Sequence, residues 1–79
     1  MRAKHAYRLI ITRGGRAPAL LADASRIDHI EVVDVEGGEA VLFWDRPPQA
    51  ASKLARALRT DLTQLEAAEF IARWSTVEH

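Results

Sequence analysis

Along residues 5–13, HAYRLIITR, the side chains fall into two alternating sets. Tyr7, Leu9 and Ile11 share one side; Ala6, Arg8, Ile10 and Thr12 share the other. A period of two marks a strand. Gly14-Gly15 ends it, since paired glycines favour a turn. Residues 27–36, IDHIEVVDVE, read as a second strand on their Val and Ile content, with Ile30 and Val32 opposing Val33 and Val35. Gly37-Gly38 then has the form of a two-residue hairpin turn. Residues 39–45, EAVLFWD, make the third strand, with Val41 and Phe43 facing one way and Ala40, Leu42 and Trp44 the other.

The period changes after Pro47-Pro48. Pro48 suits the first turn of a helix, where its missing N–H is no loss. Ala51, Leu54, Ala55, Leu58, Leu62 and Leu65 form one helical stripe, while Ala67, Phe70, Ile71 and Trp74 form another. At about 100° per residue the stripes lie roughly 170° apart. One straight helix on one sheet cannot bury both, so the pattern predicts a helix over 48–61, a break, and a second helix over 64–75. Thr63-x-x-Glu66 has the form of a capping box for the second helix. Glu66 and Glu69 near its start and Arg73 near its end suit the helix dipole. Residues 16–26, RAPALLADASR, read either as a loop or edge strand after a Gly14-Gly15 turn, which is preferred, or as a short helix with Pro18 in its first turn.

Strands first and helices last give an α+β class. The expected architecture is a two-layer sandwich: a three- to four-stranded antiparallel meander followed by two C-terminal helices, in one small domain spanning residues 1–79.

Composition narrows the function more by exclusion than by indication. With 79 residues, 48% of them hydrophobic, the core is thin, and a partner surface would add useful buried area. Cysteine is absent, which removes disulfides, thiolate nucleophiles and cysteine metal sites. The apolar run Leu9-Ile10-Ile11 is too short for a signal peptide, and no stretch reaches membrane-span length, so a cytoplasmic location is expected. Arginine outnumbers lysine nine to two and alanine is abundant, as expected of a GC-rich bacterial genome. Net charge is zero, but residues 1–26 carry six bases and one acid, and residues 27–45 carry six acids and no Lys or Arg. Cross-strand pairing between a basic and an acidic strand accounts for this, with a basic arm for an acidic partner as the other reading.

No catalytic, metal-binding or cofactor-binding set is legible. His29 shares a strand face with Glu31 but not with Asp28, which leaves two ligands at most. His5 and His79 have no supporting neighbours. Ser25, Ser52 and Ser75 lack a nucleophile motif, and neither glycine pair belongs to a phosphate-binding pattern.

Each strand leaves apolar residues on its second face, whereas a solvated sheet face is usually polar. The expectation is therefore a non-enzymatic protein-interaction or regulatory module, self-associating as a homodimer or meeting another protein. Its candidate contacts are Ile10, Leu42 and Trp44 on the sheet, Arg46 at the rim, and Phe70 and Trp74 as a second surface. One alternative is a nucleic-acid-associated protein using Arg2, Lys4, Tyr7, Arg8, Arg13 and Arg16, extended by Lys53, Arg56 and Arg59 on the first helix. Another is a binder of a small apolar ligand between sheet and helices, for which convergent polar groups are lacking.

Overall fold

The structure, a computed structural model, describes residues 1–14 and 27–78. These residues form a helical turn α1 (Ala3–Ala6), strands β1 (Tyr7–Thr12), β2 (Asp28–Asp34) and β3 (Ala40–Arg46), and helices α2 (Pro48–Gln64) and α3 (Ala67–Trp74). The strands pair antiparallel in the order β1-β2-β3, followed by two helices, which is the expected α+β arrangement. The reading of residues 16–26, and with it any fourth strand, lies outside the described residues.

The β1–β2 register sets Ile10 opposite Glu31 and Thr12 opposite His29. The β2–β3 register sets Ile30 opposite Trp44 and Val32 opposite Leu42. It then slips, because Val33 faces Ala40, leaving Val41 as the extra residue of a bulge. The hairpin is wider than the expected two-residue turn. Asp34 N–H donates to the Glu39 carbonyl at 2.8 Å, and Val35 to Gly38 lie between them. Within this hairpin Gly38 has a left-handed φ, at 73°. The Asp34 side chain accepts the Glu36 N–H at 3.0 Å, so an Asx turn replaces the tight glycine turn.

The core lies between one sheet face and the helices. Ile30, Val32, Leu42 and Trp44 supply the sheet side. Ala51, Leu58 and Leu62 of α2 and Phe70 and Trp74 of α3 supply the other. Both predicted stripes therefore reach the core, and the chain manages this by breaking at Leu65 and Glu66, both extended with ψ 156°. The expected capping box does not form. Thr63 stays within α2, its hydroxyl donating to the Thr60 carbonyl, and Glu66 precedes α3 without a side-chain cap.

The N-terminus fills the break instead. The first strand was expected over residues 5–13, but His5 and Ala6 belong to the helical turn Ala3–Ala6, whose Ala3 is buried. Ala3 N–H donates to the Leu65 carbonyl at 3.0 Å, and Ala67 N–H donates to the Met1 carbonyl at 2.9 Å. The Arg2 guanidinium donates to the carbonyls of Gln64 (3.1 Å) and Thr63 (3.4 Å). It places a cation at the negative end of α2, whose last turn has no base of its own. Among the described residues, no helix is long and apolar enough to cross a membrane.

Candidate functional site: the outer sheet face

The face of the sheet turned away from the helices is built in three rows. Thr12, His29 and Asp45 form one; Ile10, Glu31 and Phe43 form the middle; Arg8 and Val33 form the third, with Ala40 and Val41 brought beside them by the bulge. Ile10 is 39% exposed, Phe43 41% and Val41 44%. A solvated face of an antiparallel sheet is normally polar. Here two of three middle-row side chains are large and apolar. His29 Nδ1 lies within hydrogen-bond reach of the Asp45 carboxylate, and its ring stacks on Phe43, with ring centroids 5.9 Å apart and 24° between planes. That pairing holds the Phe43 ring along one side. Among the described residues β3 is also an edge strand, whose outward backbone groups have no ladder partner there.

The membership of this face differs from the sequence expectation. Ile10 belongs to it. Leu42 and Trp44 do not: they point into the core, and Trp44 is 0% exposed. Phe70 and Trp74 are buried as well, so they form no second surface. The physical reason is size and packing. Trp44 packs edge-on against Trp74, with centroids 6.0 Å apart at 77°, and Phe70 stacks on Tyr7 at 5.9 Å. Turned outward, these rings would leave the thin core hollow. Val41 and Phe43, of opposite parity on β3, are therefore the exposed pair. Arg46, expected at a rim, is engaged: it donates to the Asp45 carbonyl at 2.8 Å and to the Glu78 carbonyl, tying down the C-terminal segment that also receives Trp44 Nε1 at the Val77 carbonyl (3.4 Å).

The basic residues do not form one stripe. Arg2 is spent on the end of α2, Tyr7 packs on the core, and Arg8 lies on the outer face. Lys4 is exposed on α1, while Arg13 lies at the far end of β1 beside Lys53, Arg56 and Arg59. Arg16 lies outside the described residues. Among the described residues, no three His, Cys, Asp or Glu side chains come together as a metal-ligand set. No family model, curated protein or solved structure matches the chain, so its function is read from its own geometry.

Proposed function

We propose that this chain is a small protein-interaction module that associates with a second copy of itself through the β3 side of its outer sheet face. The observation that carries this is the exposure of Ile10, Val41 and Phe43 together on the face opposite the helices. Glu31 decides where the partner sits. It occupies the centre of the face, between Ile10 and Phe43. A two-fold through that point would press two Glu31 carboxylates together, which is strongly unfavourable out of water. Shifting the partner towards β3 leaves both carboxylates at the rim. It also brings Val41 and Phe43 of the two copies into contact, and lets the two edge strands pair.

The area sets the strength. Three strands of about six residues cover roughly 14 by 20 Å. Even with side-chain relief this falls short of the ~800 Å² per partner of a standard interface. The association is accordingly weak, with a dissociation constant on the order of micromolar. Sedimentation equilibrium over a dilution series tests it. The native chain should shift from dimer to monomer within the micromolar range. Phe43→Glu should be monomeric throughout with its fold intact, and Glu31→Gln should dissociate at lower concentration. A native chain that stays monomeric at the highest concentration rejects the reading.

A further inference from the structure

A second feature lies on the helix side of the sheet, away from the outer face. There the end of β1 and the start of β2 meet the first half of α2 around a cleft of about 650 Å³. This is within the range of small-molecule sites, roughly 300–1,000 Å³. Its floor includes Ile11 and Ala55, and its walls carry four cations: Arg13 from the β1 side and Lys53, Arg56 and Arg59 from α2. The three helical cations recur every third residue, so they line a wall about 9 Å long. Among the described residues, none of these four side chains forms an ion pair or a side-chain hydrogen bond. In a chain of zero net charge with 11 acids, four cations along one cleft, against the one acid Asp28 among its lining residues, are a local concentration that the sequence total conceals.

We propose that this cleft binds a small molecule carrying two or more phosphate groups. One phosphate would satisfy one or two of the cations, whereas the length of the wall and the opposing Arg13 call for charge spread over several ångströms. Asp28 also lines the cleft; it is buried and accepts the Gly14 N–H at 3.3 Å. The phosphates therefore sit against the cationic wall and away from Asp28. Among the described residues no aromatic side chain lines the cleft as a stacking platform for a base. That favours a compact polyphosphate over a nucleic-acid strand.

Titration with inorganic tripolyphosphate, followed by backbone amide shifts at fixed physiological salt, tests the proposal. Saturable shifts should appear along Ser52–Arg59 and at Arg13, with orthophosphate binding far more weakly. Arg56→Gln and Arg13→Gln should each weaken tripolyphosphate binding about fivefold, as for an exposed charge contact. Arg8→Gln, with the same charge change on the outer face, should leave it unaltered. Equal weakening by Arg8→Gln would reduce the effect to net charge and overturn the site, as would shifts that never saturate. A single-stranded oligonucleotide that binds more tightly than tripolyphosphate, and is lost in the Arg56 and Arg13 variants, would overturn the small-molecule assignment in favour of nucleic acid. Self-association is read separately, because Phe43 lies on the opposite face.

Discussion

Two residues show how little slack the fold has. Trp44 is wholly buried, edge-on to Trp74, with its indole N–H directed at the Val77 carbonyl. Trp44→Ala should therefore cost about 3–5 kcal/mol. A domain of this length holds roughly 4–12 kcal/mol in total. Chemical denaturation followed by circular dichroism should show a transition largely or wholly lost, whatever the protein concentration. Gly14 is needed for a different reason. A Cβ there would lie 1.7 Å from the Ile27 carbonyl oxygen, so the two backbone segments can meet only over a glycine. Gly14→Ala should lose about 1–3 kcal/mol through forced separation of these segments. Gly38 has the left-handed φ but open space around it, and Gly38→Ala should cost about 1 kcal/mol. Thermal melts of the two variants give the order directly. From the sequence, both glycines read as turn formers. The close approach at Gly14 depends on Ile27, which no local pattern relates to it.

At the scale of elements, the break between α2 and α3 was legible from the 170° offset of two apolar stripes, because both must reach one core. What holds the break was not legible. Thr63 and Glu66 match a capping pattern, yet the groups that satisfy the break come from Met1, Arg2 and Ala3, more than 60 residues away in the chain. Helix-end carbonyls accept any well-placed donor, and a local motif cannot reveal one supplied from the other terminus. Glu66 itself pairs with the N-terminal ammonium at 3.0 Å. Its carboxyl pKa is lowered, first by the hydrogen bond from that ammonium, then by its charge and that of Arg2. A depressed carboxylate pKa adds stability that is present above the unfolded value and disappears as pH falls through the folded value. The window is thus acidic, below the ordinary glutamate range. An NMR titration of the Glu66 side chain should place its midpoint below the ordinary glutamate range. Acetylation of the N-terminus should raise that midpoint and remove the ammonium's part of the acid dependence.

For the whole molecule, the two-sided apolar character of the sheet was visible in the sequence, but its outward half was assigned to the wrong residues. Alternation divides each strand into two parities without saying which one meets the helices. Register and the bulge at Val41 settle that, together with the need to bury both tryptophans in so small a core. Once Trp44 is inside, Val41 and Phe43 must be outside, and the outer face is the surface left for a partner. This has a thermodynamic consequence beyond molar mass. A ligand that binds only the folded state raises apparent stability by mass action, and under the proposed self-association a second copy of the chain is such a ligand. The melting temperature of the native protein should therefore rise with protein concentration across the micromolar range. Phe43→Glu should melt at one temperature at every concentration. The substitution removes nothing from the core, but it loses the stacking on His29 and sets a carboxylate opposite Glu31, so the readout is the flat concentration dependence and not the absolute melting temperature. A Phe43→Glu chain that still gains stability with concentration would place the contact elsewhere than on β3.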